Sequence, residues 1–73
     1  MSRPEMKYVS SSNVESIGFD SSESILYVRF LDGSEYAYYG VPQYIYDDLL
    51  TTNSIGSYLH VYVKNQYRYE KIG

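Results

Sequence analysis

The chain has 73 residues, which is enough for one domain with a small core. It has no Cys, which rules out disulfides and thiolate metal sites, and no apolar run of the length that spans a membrane. Six Lys and Arg stand against nine Asp and Glu, and this acidic balance disfavours duplex nucleic acid as a partner. Because the start lacks the apolar run of a secretion signal, we expect a cytoplasmic protein.

The first half of the chain reads as an antiparallel β-meander. Residues 1–8 lack periodicity and are predicted to be a flexible N-terminal arm, which leaves residues 9–73 as a single domain. Strands are predicted over residues 14–19, 25–31 and 35–39, which are rich in β-branched and aromatic side chains. Residues 20–23 are typical of a turn. Asp32-Gly33 is the strongest short signal for a two-residue hairpin loop.

A two-residue loop at Asp32-Gly33 also predicts the pairing of the second and third strands. It places Val28 opposite Ala37 and Leu26 opposite Tyr39, and paired residues share a face of the sheet. The face predicted to form the core then consists of Ile17, Phe19, Leu26, Val28, Phe30, Ala37 and Tyr39. The opposite face consists of Ile25, Tyr27, Arg29, Tyr36 and Tyr38.

Two short helices and a final strand are predicted in the second half. Val41-Pro42 ends the meander, and residues 43–51 place Ile45 and Leu49 on one helical face. Ser54 is a candidate N-cap for a second helix. The apolar stripe of that helix consists of Ile55, Leu59, Tyr62 and Val63. Residues 67–72 alternate as a final edge strand, so the predicted class is α+β.

The order and spacing of several short motifs resemble the KTSC domain family over about residues 9–69. The motifs are Ser11-Ser12-Asn13-Val14, Ile17-Gly18-Phe19-Asp20, Tyr36-Ala37-Tyr38, Val41-Pro42 and Ser54-x-Gly56-x-Tyr58-Leu59. The family is named for a domain at the C-terminus of some lysyl-tRNA synthetases, and it also occurs as small stand-alone bacterial or phage proteins. The resemblance implies a small α+β domain with a central Tyr-x-Tyr, and it implies no established activity. Its attachment to synthetases suggests RNA binding.

The residues offer little for catalysis. The only His is His60, and nucleophilic Ser chemistry or a zinc site needs more partners than one His supplies. Asp47 and Asp48 are adjacent in a predicted helix and point about 100° apart, so they do not act as a pair. No phosphate-binding or calcium-binding loop is present. We therefore expect a protein that is not an enzyme and that uses no cofactor or metal.

The candidate binding surface is the second sheet face, with Tyr27, Arg29, Tyr36 and Tyr38. Exposed aromatic rings beside a guanidinium are typical of protein interfaces and of surfaces that stack single-stranded bases. Lys64 and Arg68 are the basic residues that the C-terminal segment could add. Alternatively, residues 54–72 cover these rings and make them a second core layer.

Three functions remain open on this basis. The first is a binding module for an unknown partner protein or for a second copy of itself. The second is binding of RNA or single-stranded DNA by aromatic stacking. The third is a small acidic inhibitor of a host protein, of the kind that phages encode. None of the three involves a membrane.

Overall fold

Five antiparallel strands and two helices make up the computed structural model, which describes residues 4–73. The strands are β1 (Lys7–Tyr8), β2 (Val14–Asp20), β3 (Ile25–Phe30), β4 (Glu35–Tyr39) and β5 (Arg68–Lys71). The helices are α1 (Gln43–Thr51) and α2 (Ile55–Tyr62), and both lie between β4 and β5 in the chain. The strands follow one another across the sheet in chain order. The α+β class is as predicted.

The sheet has one strand more than the predicted meander and final edge strand, because part of the predicted arm pairs with β2. Lys7 and Tyr8, which fall within the predicted arm, pair with Ile17 and Ser16 of β2 as the short strand β1. Residues 1–3 of that arm lie outside the described residues. At the other edge, β5 pairs with β4 and turns the expected final strand into the fifth strand of the same sheet.

Both helices pack on one face of the sheet, and the core lies between the two layers. β2 and β3 supply Ile17, Leu26 and Val28, each fully buried, as the alternation of apolar residues predicts. The helical layer contributes Ile45, Leu49, Ile55, Leu59 and Val63. The predicted apolar faces of β2, β3 and both helices are therefore correct, except that Tyr62 is exposed.

The hairpin between β3 and β4 differs from the prediction. Its loop has three residues, Leu31 to Gly33. The Phe30 N–H donates to the Ser34 carbonyl at 2.8 Å, and the Gly33 N–H donates to the Phe30 carbonyl at 3.0 Å. Within this loop, only Gly33 has a positive φ, +94°. This is a turn followed by a left-handed glycine, the usual three-residue hairpin, and it needs one such residue where a two-residue type I′ loop needs two.

The longer loop shifts β4 by one residue, so every side chain of β4 lies on the face opposite to the one predicted. Val28 pairs with Tyr36, and Leu26 pairs with Tyr38. Tyr38 is thus buried in the core cluster. The predicted face of Ala37 and Tyr39 is wrong, because both lie on the side away from the helices, although Ala37 is buried there.

Val28 tests the core. Val28→Ala should destabilise the domain by about 1–3 kcal/mol, because it removes two methyl groups from a fully buried site. Val61→Ala in α2 makes the same chemical change at an exposed position and should cost less than about 0.5 kcal/mol. Urea unfolding of both variants measures the difference, and equal losses would contradict this core assignment.

Gly33 tests the hairpin. Gly33→Ala should lower the free energy of unfolding by about 1 kcal/mol, since a side chain is strained at φ of +94° although no atom lies in its way. Asp32→Ala leaves the left-handed position unchanged and serves as a comparison that removes the hydrogen bonds which the Asp32 side chain accepts from Ser34. An unchanged thermal midpoint for Gly33→Ala would be inconsistent with the three-residue loop.

Candidate functional site

Four aromatic rings gather on the helix-facing side of the sheet, where β3, β4 and β5 lie side by side. Tyr36 is central. Its ring centroid lies 5.8 Å from that of Phe30, 6.4 Å from that of Tyr38 and 5.9 Å from that of Tyr69. Tyr38 and Tyr69, a directly paired couple on β4 and β5, are 5.8 Å apart. Edge and offset contacts at these distances stabilise aromatic clusters.

The rings form the floor of an open groove of about 650 Å³, which we call the aromatic groove. Its walls come from the segment before β2, from the β3–β4 hairpin and from the turn after α2. The wall residues are Ser12, Asn13, Leu31, Asp32, Ser34, Lys64 and Asn65. The groove exists because α2 ends at Tyr62 and leaves this end of the sheet without a helix above it.

Two cations and one carboxylate determine the charge of the groove. The Lys64 ammonium lies 5.5 Å from the centre of the Phe30 ring, which is cation–π geometry. Lys71 pairs with Tyr36 and shares its face of the sheet. Asp32 accepts hydrogen bonds from the Ser34 hydroxyl at 2.7 Å and the Ser34 N–H at 2.9 Å. These bonds lower the pKa of Asp32, which stays ionised and already has partners.

The four predicted site residues do not share a face. Tyr36 and Tyr38 lie in the groove, whereas Tyr27 and Arg29 lie on the other face of the sheet. The cause is the one-residue shift of β4. The prediction of a single contiguous patch opposite the core is therefore wrong. Tyr38 lies in the core instead, and only 3% of its surface reaches solvent. Burial raises the pKa of Tyr38, with the neighbouring rings adding to the effect.

Arg29 has an acidic partner that the predicted pairing did not provide. It stands directly opposite Glu35, and its Nη2 lies 3.1 Å from Glu35 Oε1. The Glu35 side chain is almost fully buried, while 45% of the Arg29 side chain is exposed. The hydrogen bond and charge of Glu35 raise the pKa of Arg29. Arg29 thus neutralises a buried carboxylate and lies away from the aromatic groove.

The face away from the helices, which we call the open face, is partly covered by residues 4–6. A Cβ at Gly18 would lie 2.7 Å from Met6 Sδ and 3.1 Å from the Glu5 carbonyl oxygen, so this segment approaches the sheet where there is no side chain. At the far side of the open face, the Tyr39 hydroxyl donates to Glu70 Oε1 at 2.8 Å. This bond raises the pKa of Tyr39.

Lys64 and Arg68, the two basic residues predicted to add to the site, also lie on different sides of the sheet. Lys64 lines the groove, as described above, whereas Arg68 pairs with Tyr39 and belongs to the open face. Sequence reasoning missed Tyr69, Phe30 and the amides of Asn13 and Asn65 as groove residues. The alternation of side chains within residues 67–72 places Tyr69 and Lys71 on one face of the final strand. Assigning that face to the groove required the pairing of β5 with β4, which the sequence does not provide.

Some of the short motifs meet in space. Asn13 packs on Gly56, where a Cβ would lie 3.0 Å from the Asn13 side-chain oxygen. The Asn13 carbonyl accepts the Leu31 N–H at 2.9 Å, which ties this segment to the hairpin. A second, more polar cavity of about 690 Å³ opens between residues 10–13 and the start of α2, and His60 lies in its wall. These motif residues hold α2 against the sheet.

Across residues 4–73, no three His, Cys, Asp or Glu side chains are grouped closely enough to hold a metal ion. Within the same range, neither helix has the length and apolar character needed to cross a membrane.

The chain is similar to known proteins over nearly its whole length. The family described as the KTSC domain matches residues 10–67. A protein from Tsukamurella paurometabola is 43% identical over 63 residues, which cover 86% of this chain and 94% of that protein. An uncharacterized protein from Stutzerimonas stutzeri is 38% identical over 63 residues, covering 85% of this chain and 89% of that protein. The crystal structure of a KTSC domain protein from Yersinia pestis superposes with a TM-score of 0.88 at 31% identity, covering 94% of this chain and 97% of that one.

The different burial of two groove tyrosines gives a direct test of this geometry. Tyr38→Ala should destabilise the domain by about 3 kcal/mol, because a fully buried ring leaves a cavity. Tyr69→Ala, at a site that is 59% exposed, should cost less than about 1 kcal/mol. Chemical denaturation of the two variants provides the measurement. A Tyr69 variant as unstable as the Tyr38 variant would place both rings in the core.

Proposed function

We propose that this chain, which belongs to the KTSC domain family, is a non-catalytic module that binds an extended segment of a partner protein in its aromatic groove. The observation that carries the proposal is the groove itself. It combines a floor of four rings, an ammonium group above one of them and open access from solvent.

The aromatic floor supports binding because its rings are held in place and Tyr69 remains accessible. Tyr69 is 59% exposed, whereas the other three rings of the cluster lie deeper. Tyr69 therefore leaves apolar area that a partner can cover. Tyrosine covers much area with few rotatable bonds, so little side-chain entropy is lost on binding. Tyr36 and Tyr38 belong to a strand hydrogen-bonded on both sides, which holds the floor in place before a ligand arrives.

The charges of the groove favour a peptide over a nucleic acid strand. Among the described residues, Lys64 and Lys71 are the cations next to the groove, and Asp32 offsets one of them. A single strand of RNA or DNA carries one phosphate per nucleotide and needs several cations along its path, which a chain of net charge −3 does not offer here. A segment with one apolar or aromatic side chain and one nearby carboxylate matches the rings and Lys64.

The placement of the polar groups favours binding over catalysis. The imidazole of His60, the only His in the chain, lines the other cavity and does not reach the groove. Two serines, Ser12 and Ser34, line the groove, and the Ser34 hydroxyl donates to Asp32 as part of the hairpin. These placements support a role in binding.

A displayed library of random linear peptides, selected on the immobilised protein, tests the proposal. We expect the selected peptides to combine an apolar or aromatic side chain with Asp or Glu. Tyr69→Ala and Lys64→Gln should each weaken a selected fluorescent peptide about tenfold, measured by anisotropy. Tyr44→Ala changes a tyrosine of α1 that is 61% exposed, and Lys7→Gln changes an exposed lysine of β1. Both controls should bind as the wild type does.

Two results would overturn the proposal. One is a set of selected peptides whose affinity is the same for the groove variants and their controls. The other is tighter binding of a fluorescent oligouridine or oligothymidine than of any peptide, weakened by Tyr69→Ala and falling steeply with salt. That second result would assign the groove to single-stranded nucleic acid instead.

A further inference from the structure

β5 ends the sheet, and one of its sides has no neighbouring strand among the described residues. All four residues of β5 are exposed. A free strand edge presents unpaired backbone N–H and C=O groups, which either remain solvated or pair with another strand. The side chains of β5 decide which strand could fit, because they carry charges of both signs: Arg68, Tyr69, Glu70 and Lys71.

The hydrogen bonds of the sheet identify the backbone groups that face outwards. Phe30 bonds to Ser34, so the even-numbered residues of β4 direct their backbone groups towards β3. Glu35 accordingly points the other way and accepts the Ile72 N–H at 2.8 Å. Arg68 and Glu70, opposite Tyr39 and Ala37, therefore direct their groups inwards to β4. Tyr69 and Lys71 direct theirs to the free side.

A second copy can pair antiparallel with this edge about a two-fold axis, and the choice of axis is narrow. Outward residues must meet outward residues, so the axis passes through a residue of β5. An axis at Arg68, Glu70 or Lys71 sets two like charges directly opposite each other, which destabilises a pair of strands. An axis at Tyr69 instead sets Arg68 of each copy opposite Glu70 of the other.

We propose that this chain forms a symmetric homodimer in which the two β5 strands pair antiparallel about Tyr69. The two Tyr69 residues exchange both backbone hydrogen bonds, and the two sheets become one continuous sheet of ten strands. Each Arg68–Glu70 pair is at a position without backbone hydrogen bonds, where facing side chains come closest. Tyr39 occupies Glu70 Oε1, so the other carboxylate oxygen is left for the partner's Arg68.

This pairing joins the two aromatic grooves, since Tyr69 lies on the groove side of β5. Lys71 of each copy also comes beside the other copy's groove. The dimer rests on the edge and its charges, so it does not depend on what the groove binds. Arg68 and Glu70 lie on the open face, and substitutions there leave the groove's own lining unchanged.

Sedimentation velocity over a wide concentration range, with a pair of charge reversals, tests the dimer. We expect the wild type to dimerise as concentration rises. Glu70→Arg places arginines opposite each other and Arg68→Glu places carboxylates opposite each other, so each variant alone should dimerise about tenfold more weakly or worse. An equimolar mixture of the two restores opposite charges at both positions and should dimerise again. Circular dichroism melts establish that each variant is folded.

A single cysteine tests the position of the axis. Tyr69→Cys introduces the only cysteine of the chain, and paired residues about 5.5 Å apart at Cα can form a disulfide under mild oxidation. Tyr44→Cys in α1, as a control, should stay uncrosslinked. A wild type that stays monomeric throughout, or a mixture that behaves like its separate components, would refute the dimer. Crosslinking no faster than in the Tyr44 control would refute the Tyr69 axis.

Discussion

The three-residue loop from Leu31 to Gly33 sets the direction in which every side chain of β4 points. A strand in a two-layer fold has one buried side. One residue more or less in the preceding loop shifts the strand's register and moves every side chain to the other face. Here the left-handed conformation of Gly33 directs Tyr36 and Tyr38 towards the helices. The floor of the groove, the Arg29–Glu35 ion pair and the side of the sheet on which Tyr69 lies all depend on that direction.

The groove then follows from the size of the helical layer. Helices of nine and eight residues are only about 12–14 Å long, so together they cannot cover the helix-facing side of a five-stranded sheet. They cover β2, β3 and one end of β4, where the aliphatic core lies. At the other end, no helix covers the sheet, and its surface there consists largely of tyrosine rings. Their hydroxyl groups tolerate water, so the uncovered rings cost the monomer less than bare aliphatic side chains would.

The β-strands and helices with one clearly apolar side could be predicted from the sequence. β3 alternates apolar residues at Leu26 and Val28 with polar ones, and α1 repeats them at Ile45 and Leu49. β4 has no such contrast, because Tyr36, Ala37, Tyr38 and Tyr39 fit either face, and its orientation was left to the loop. Gly33 suits a two-residue and a three-residue loop equally. Because the predicted site depended on this loop, its four residues lie on two faces of the sheet. β1 has only two residues, too few for a recognisable sequence pattern.

Gly18 lets the amino-terminal segment lie close against the open face. A methyl group at position 18 would displace the flexible Met6 side chain, whose Sδ would lie 2.7 Å away, and a larger side chain would also press on the Glu5 carbonyl oxygen, which lies 3.1 Å from that Cβ position. A bulkier residue at this one position would therefore act as a wedge that lifts the amino-terminal segment from the sheet. For protein engineering, a substitution at position 18 offers a way to uncover the open face. The helices, the core and the groove on the other side of the sheet would keep their contacts.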